Sequence, residues 1–270
     1  MKKLGIIGCG AIGSVVAYAV DRGEVKAELA ALYDIVVEKC LDLSNKLLAS
    51  KPLVCKSLDC LLSAKPDLVV EAASQEAVRE YVPGILEQGI SVVVLSVGAL
   101  LDRDLYDKLL GICRSKGSRI YIPTGAVAGI DAIKAASLSG VKRIVLTTRK
   151  SPKSISSESL RKLGFNEEIR EPTVIYEGTA EEAVKALPFN INVAATLRIA
   201  SRAPVVVRVI ADPSVTRNVH EILVESEASN LRIVVENRPH PENPKTSYIA
   251  ALSAVQLLKQ ILEPGINIGT

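Results

Sequence analysis

The chain has 270 residues, of which 48% are hydrophobic, and its formal net charge is +3. That length suits two domains, or one large domain with an appendage, and the hydrophobic content is ample for a buried core. The charge is small, and no block of Lys and Arg or basic stripe with aromatic residues accompanies it. The composition therefore argues against binding to nucleic acid.

Targeting, membrane and metal signals are also missing from the sequence. No apolar run approaches the roughly 18 residues that a membrane span needs, and the run before Cys9 is too short for a signal peptide. The five cysteines have neither metal-ligand nor redox spacing. We therefore expect scattered reduced thiols, no metal, no membrane contact and a cytoplasmic location.

The first predicted strand runs directly into Gly8-Cys9-Gly10-Ala11-Ile12-Gly13, and a helical pattern follows. Strand, glycine turn and helix in this order are the dinucleotide-binding fingerprint. Gly8 allows the tight turn, Gly10 lets the backbone approach a pyrophosphate, and Gly13 lets the helix pack on the strand. The helix N-terminus, which includes Ala11 and Ile12, then faces the phosphates.

A second anchor for the cofactor is Asp34, which closes the next predicted strand about 20 residues after the last glycine. A carboxylate there binds the adenosine ribose hydroxyls, whereas the alternative is that Asp34 only terminates the strand. The negative charge favours NAD over NADP, although Lys39 just downstream could soften that preference, so NADP remains an alternative.

Strands and helices then alternate up to about residue 122, which is typical of a doubly wound parallel sheet. Ligands of such sheets lie beyond the carboxyl ends of the strands. The small residues in the loops there predict a cofactor site, although a simple tight turn explains any single one equally well. These residues are Ala72, Ala73, Ser74, Ser96, Val97, Gly98, Gly125 and Ala126.

The pattern changes after about residue 129. Three strands at 205–211, 219–226 and 231–237 follow one another without intervening helices, which predicts a mixed or antiparallel sheet with helices on one face. Residues 151–172 are rich in Ser, Lys and Glu and predict a surface excursion. We therefore expect a Rossmann domain at 1–128, a smaller α+β catalytic domain at 129–245, and a C-terminal helix at 246–270 that packs back toward the first domain.

The two histidines are the main candidates for acid–base chemistry. Strand alternation places His220 on the same face as Ile222 and Val224, where burial could tune its proton affinity. A hydrogen-bonded core histidine is an equally good interpretation of these residues alone. His240 lies between two prolines and is expected in an exposed loop.

A further candidate is the group Lys245-Thr246-Ser247 at the start of the last predicted helix. A lysine and two hydroxyls at a helix N-terminus can bind an anion such as a dicarboxylate substrate. An ordinary N-cap with a solvated lysine is the simpler alternative.

The motifs together resemble the L-aspartate dehydrogenase family over nearly the whole chain. The matching segments are Gly8–Gly13, Glu71–Gln75, Leu95–Ala99, Gly125–Ala132, Asn192–Leu197, Asn218–Glu221 and Asn243–Tyr248. This resemblance implies NAD(P)-dependent oxidative deamination of L-aspartate to iminoaspartate, which hydrolyses to oxaloacetate and ammonia. Iminoaspartate can also feed NAD biosynthesis.

The resemblance also implies roles for particular residues. The catalytic histidine of the family falls on His220, and its nicotinamide-side contacts fall on Gly125, Ala126 and Asn192. We accordingly expect His220, Asn192 and the 245–247 group to meet the substrate.

Two alternatives remain open at this point. One is a related two-domain dehydrogenase for another amino acid or hydroxy acid, and the other is a non-catalytic sensor that binds NAD and a partner. The predicted open sheet of the second domain is a plausible surface for a homodimer.

Overall fold

The computed structural model describes residues 1–187, 191–241, 247–266 and 268. The chain forms two compact units. The first comprises Met1–Pro123 together with the C-terminal helix from Ala250, and the second spans Thr124–Ile249.

The first unit alternates strands and helices. Its elements are β1 (Lys2–Ile7), α1 (Ala11–Asp21), β2 (Ala27–Tyr33), α2 (Val37–Lys46), β3 (Leu53–Cys55), α3 (Leu58–Ser63), β4 (Leu68–Glu71), α4 (Gln75–Glu87), β5 (Ser91–Val94), α5 (Arg103–Lys116) and β6 (Ile120–Tyr121). A 3₁₀ turn at Val97–Leu101 precedes α5. The strand order is β3-β2-β1-β4-β5-β6, and each strand pairs in parallel with its neighbours. This is the Rossmann order and confirms the predicted doubly wound sheet.

The boundaries of these helices follow ordinary capping chemistry. The Ser74 hydroxyl accepts a hydrogen bond from Ala77 N at 3.1 Å, and the Asp102 carboxylate accepts one from Leu105 N at 3.2 Å. At its C-terminus α5 stops at Gly117, whose φ of +72° lies in the left-handed region that glycine tolerates. Local capping signals of this kind set the ends of α4 and α5.

The core of the first unit lies between the parallel sheet and the helices beside it. Leu4 and Ile6 of β1 and Val70 of β4 are completely buried there. The last helix, α10 (Tyr248–Leu262), adds Ala254 and Leu258 to the same hydrophobic cluster.

The second unit is built on a mixed sheet. Its elements are α6 (Ile130–Ser137), β7 (Val141–Lys150), α7 (Ser157–Lys162), β8 (Thr173–Thr179), α8 (Ala180–Ala186), α9 (Asn192–Ser201), β9 (Val205–Ala211), β10 (Asn218–Ser226) and β11 (Asn230–Asn237). The order is β11-β10-β7-β9-β8, in which β7 and β9 are parallel and the other pairs antiparallel. The prediction of a mixed sheet is therefore confirmed.

One face of this sheet is buried and carries the site described below. Residues opposite one another in paired strands point to the same face, so Leu146 of β7, Val207 of β9 and Ile222 of β10 form one apolar row. All three are at most 1% exposed. Helix α6 packs against β10, and α8 and α9 pack against β9.

The segment at 151–172 contains more regular structure than the expected surface excursion. It begins with a 3₁₀ turn at Pro152–Ser154 and continues into α7, where Lys162 pairs with Glu158 at 2.7 Å. Across the described ranges, no helix combines the length and the apolar character that spanning a membrane demands.

Candidate functional site: a glycine turn and a buried histidine

The glycine turn is pressed tightly against the neighbouring strands. Gly8 has a φ of +97°, and its N–H donates to the Tyr33 carbonyl at 2.8 Å. A Cβ at Gly8 would lie 2.6 Å from the Ala72 carbonyl oxygen, and a Cβ at Gly13 would collide with the Gly8 carbonyl oxygen. Only glycine fits at either position.

The other side of the same turn is open. A Cβ at Gly10 would meet no atom within 4 Å, and Gly10 itself is exposed. No side chain caps α1 among the residues that the structure describes, and Ala11 and Ile12 are half-buried in its first turn. The N-terminal N–H groups of the helix thus lie at an open surface, and such groups are typical binding partners of anions.

Asp34 connects the turn to the second strand through hydrogen bonds. Its carboxylate accepts from Cys9 N and from Val36 N, both at 2.9 Å, and Lys39 Nζ lies 4.0 Å from Oδ1. Asp34 therefore fixes the turn as well as closing β2. Its position at the turn also suits it to contact a ribose.

A cavity of about 300 Å³ brings the predicted cofactor residues together. Six of them line it: Gly8, Gly10, Asp34, Ala72, Ala73 and Ser74. The paired hydroxyls of Tyr33 and Tyr81, 3.0 Å apart, lie on its wall. The cavity lies at the carboxyl ends of β1, β2 and β4, where ligands of this fold bind.

The loop at Ser96, Val97 and Gly98 does not line this cavity, and the three residues are buried. Ser96 is held by Glu71, for which the sequence predicted no role of its own. The Glu71 carboxylate is completely buried and accepts from the N–H groups of Ala73, Ser74 and Ser96 at 2.9–3.0 Å, and from Ser96 Oγ. Burial raises the pKa of Glu71, and these four bonds oppose the shift. The sequence signal for this role was a single acidic residue, Glu71, in an otherwise apolar strand.

Four of the cysteines lie in two contacting pairs, whereas we expected scattered thiols. Cys55 and Cys60 form a disulfide, so the expectation that all thiols are reduced was wrong, because β3 and α3 fold back within five residues. Cys9 and Cys40 are free and buried with their sulfurs 2.9 Å apart. The hydrogen bond between these thiols and their burial raise the pKa of Cys9, which makes it a poor nucleophile.

In the second unit, the Gly125-Ala126 turn is supported by a buried amide. Gly125 has a φ of +70°, and Asn237 Nδ2 donates to the Ala126 carbonyl at 3.0 Å. Asn237 is only 3% exposed, and its Oδ1 accepts no hydrogen bond from any residue in the described ranges.

His220 lies on the buried face of β10, as strand alternation predicted. It is 4% exposed, and its Nδ1 is 2.9 Å from Thr148 Oγ1 on β7. Burial, assisted by the charge of Lys150, lowers the pKa of His220 from 6.5 to about 3. The imidazole is therefore uncharged at neutral pH, and one of its ring nitrogens carries a lone pair that can accept a hydrogen bond.

His240 was wrongly expected on the surface. It is 3% exposed and packs edge-on against Tyr248, with 5.3 Å between ring centroids. The cause is a bridge between Pro239 and Ser247, together with a 3.0 Å hydrogen bond from Tyr248 N to the Arg238 carbonyl. These contacts fold the proline-flanked segment against the start of α10.

The remaining predicted residues are only partly described. Asn192 is the exposed first residue of α9, and Ser247 is buried immediately before α10. Lys245 and Thr246 lie outside the described residues, so the structure does not test the anion site predicted at 245–247. Among the residues that are described, no group of His, Cys, Asp and Glu could hold a metal ion.

Family models match most of the chain. Residues 8–123 match a model described as the NAD-binding domain of homoserine dehydrogenase, and residues 131–261 match the C-terminal domain of aspartate dehydrogenase.

Curated relatives and solved structures match the full length. An L-aspartate dehydrogenase of Methanosarcina mazei is 48% identical and one of Methanocaldococcus jannaschii is 42% identical, each over all of both chains. The crystal structure of a Thermotoga maritima aspartate dehydrogenase covers all of both chains with a TM-score of 0.75 and 25% identity.

The buried imidazole predicts a pH-dependent stability. Because the pKa of His220 is lower in the folded chain than its ordinary 6.5, the unfolded state takes up a proton that the folded state does not. His220 thus destabilises the fold progressively as the pH falls below 6.5. The penalty is about 2 kcal/mol at pH 5.

His220→Gln keeps a polar group opposite Thr148 but cannot titrate. The free energy of unfolding in urea, measured at pH 7 and pH 5, should fall less for this variant than for the wild type. Carboxylate titration is common to both proteins and cancels in the difference. Equal pH dependence in the two proteins would show that His220 is not desolvated.

Proposed function

Because the chain belongs to the aspartate dehydrogenase family, we propose that it oxidises L-aspartate to iminoaspartate with NAD(P) as the hydride acceptor. Iminoaspartate then hydrolyses to oxaloacetate and ammonia. The observation that carries the proposal is 48% identity over the full length of a named L-aspartate dehydrogenase. The buried, uncharged imidazole in the aspartate dehydrogenase portion of the chain supports it.

The glycine turn supplies the residues that would hold the cofactor. Gly10 and the first turn of α1 would bind the pyrophosphate, Asp34 the ribose, and Gly125, Ala126 and Asn192 the nicotinamide end. When bound, the cofactor accepts the hydride from C2 of aspartate. The uncapped helix and the open space at Gly10 fit this assignment.

His220 is the proposed proton acceptor. Aspartate must lose a proton from its ammonium group before C2 can give up a hydride, and the imino product needs an activated water for hydrolysis. If Nδ1–H donates to Thr148 Oγ1 across their 2.9 Å contact, Nε2 keeps its lone pair for either step. Thr148 is then a positioning residue that selects the tautomer. Ser247 and the neighbouring Lys245 and Thr246 are proposed substrate contacts.

Oxidation of L-aspartate by the purified chain with NAD or NADP, followed by the absorbance of the reduced cofactor, tests the function directly. His220→Ala should lower kcat about 10²-fold or more and leave the Kd of the cofactor unchanged. Turnover of another amino acid or hydroxy acid, but not of aspartate, would overturn the substrate. Tight NAD binding without any turnover would favour a sensor.

The charge of Asp34 should set the cofactor preference toward NAD. Asp34→Ser should weaken binding of both cofactors, because the bonds to Cys9 N and Val36 N are lost. It should also lower the ratio of kcat/KM with NAD to kcat/KM with NADP by about tenfold or more. Lys39→Met is the matched opposite change and should widen the ratio. Ratios of kcat/KM that stay constant in both variants would remove Asp34 from the ribose site.

We further propose a homodimer that forms through the outer face of the second sheet. Leu223 pairs with Val145, which pairs with Val206, and Leu223 and Val206 are 41% and 36% exposed on this face. Exposed apolar side chains of this kind would form the centre of the interface. Sedimentation should give twice the chain mass of 28.8 kDa. Leu223→Glu should give the monomer mass, whereas Leu138→Glu, at a 91% exposed position elsewhere, should not. A monomeric wild type would refute the dimer.

With the activity we also propose a cellular location and a metabolic role. The enzyme would work in the cytoplasm, and its iminoaspartate would feed NAD biosynthesis. A strain lacking the gene should then need an external pyridine precursor, and a strain that grows without one would contradict that role.

A further inference from the structure

We propose that Asn237 is a positioning residue whose side-chain amide fixes the turn at residues 125–129 on the sheet face that carries His220. It would thereby set where the nicotinamide ring of the cofactor lies. The inference rests on the proposed function, which assigns the nicotinamide end to Gly125 and Ala126. It concerns a residue for which the sequence predicted no role.

The 125–129 turn is a packed part of the second unit. It begins and ends at glycines in the left-handed region, with φ of +70° at Gly125 and +72° at Gly129. Gly129 also starts α6, because its carbonyl accepts a hydrogen bond from Ile133 N at 2.9 Å. Between the glycines, Ala126 is 8% and Val127 3% exposed. The position of this turn is therefore set by the residues that pack against it.

Strand β11 supports the turn at two points. At the end of the strand, Asn237 Nδ2 donates a hydrogen bond to the Ala126 carbonyl at 3.0 Å. Four residues earlier, Ile233 lies so close to Gly129 that a Cβ on the glycine would collide with the isoleucine side chain. Side chains alternate along a strand, so Ile233 and Asn237 point to the same face. The turn therefore lies along one face of β11 and is held near both of its ends.

The face of β11 that holds the turn is continuous with the face of β10 that carries His220. Ile233 is directly opposite Ile222 of β10, and Asn237 is directly opposite Asn218. Opposed residues of paired strands share a face, and Ile222 is completely buried two residues after His220. One sheet face therefore positions both the proposed nicotinamide turn and the proposed base.

The Asn237 side chain contributes a single donor. It is 3% exposed, and within the described ranges its amide makes one hydrogen bond, to Ala126, while Oδ1 has no donor. A buried acceptor without a donor costs free energy, which a leucine of similar size would avoid. Packing of β11 therefore does not require an amide at this position. The bond from Nδ2 to the turn is what the amide provides.

The proposed reaction makes the position of this turn matter. Hydride transfer needs C2 of aspartate about 3–3.5 Å from the nicotinamide ring, and an offset of about 1 Å can cost about 10²-fold in rate. At the same time the substrate ammonium must face His220. A turn that shifts on the sheet would disturb the first distance without changing the second. Loss of the Asn237 bond should therefore affect kcat more than the KM for aspartate.

Cofactor binding to the full chain tests the assignment without turnover. Asn237→Leu keeps the size of the side chain but removes the bond to Ala126, so the Kd of NADH should rise about tenfold. ADP-ribose has the same pyrophosphate and adenosine but no nicotinamide, and its Kd should be unchanged. Titration calorimetry measures both. The matched control is Asn230→Leu, which makes the same change at the exposed start of β11 and should alter neither Kd.

Steady-state kinetics separate positioning from a general loss of structure. In Asn237→Leu the kcat for aspartate oxidation should fall about tenfold or more, with a KM for aspartate close to that of the wild type. The melting temperature reports whether the variant is folded. A purely structural defect would weaken NADH and ADP-ribose alike, or neither of them.

A second variant moves the other end of the turn. Gly129→Ala adds the Cβ that collides with Ile233, so it should also raise the Kd of NADH and leave that of ADP-ribose unchanged. Its matched control is Gly140→Ala. Gly140 also has a positive φ, of +94°, but a Cβ there meets no atom within 4 Å. This variant tests how the turn is held if Asn237→Leu does not fold.

The outcomes separate the two hypotheses. An unchanged Kd of NADH in folded Asn237→Leu, or equal rises for NADH and ADP-ribose, would refute the role of Asn237. If only Gly129→Ala folds, the same two results in that variant would refute it. Absence of aspartate oxidation by the wild type would instead refute the proposed function.

Discussion

Desolvation of the His220 imidazole is the constraint on which the proposed chemistry of this chain depends. An exposed histidine would be partly protonated near neutral pH, whereas burial on the closed face of β10 holds the pKa of His220 near 3. The hydrogen bond with Thr148 then orients the ring. Lys150 strengthens the constraint, because its positive charge also lowers the pKa of His220. The same apolar packing that stabilises the second unit therefore keeps the proposed base uncharged.

In the first unit the corresponding constraint is that several loops are held close together, so that their backbone N–H groups could bind the phosphates of the proposed cofactor. Two carboxylates achieve this. Asp34 binds the N–H of Cys9 in the glycine turn, and Glu71 binds the N–H groups that follow β4 and β5. Each acid replaces a water shell by fixed backbone donors, so the loops are preorganised before cofactor binds. Asp34 lines the cavity, Glu71 is completely buried, and in the proposed assignment the N-terminus of α1 is left for the phosphates.

The sequence predicted the parts of this arrangement that depend on local rules. Periodicity of the hydrophobic residues predicts the parallel sheet and the burial of His220. The steric requirement for glycine predicts the glycine turn, and it applies to the segment itself, independently of the rest of the fold. The burial of Lys150 was not predicted, because a segment of Arg, Lys and Ser is typical of an exposed surface. Only the pairing of β7 with β10 reveals that this side chain is buried. The prediction that His240 is exposed was wrong for a related reason. The bridge between Pro239 and Ser247 buries the segment despite its flanking prolines. The cofactor and substrate contacts of individual residues stay predictions.

The most direct test of the account is the protonation state of His220, read from ¹⁵N chemical shifts of its imidazole between pH 5 and pH 8. The chain has two histidines, so a His240→Gln variant assigns the signals. The account predicts that the free protein keeps a neutral ring over the whole range, with the proton on Nδ1. A ring that titrates near its ordinary value of 6.5 would contradict it.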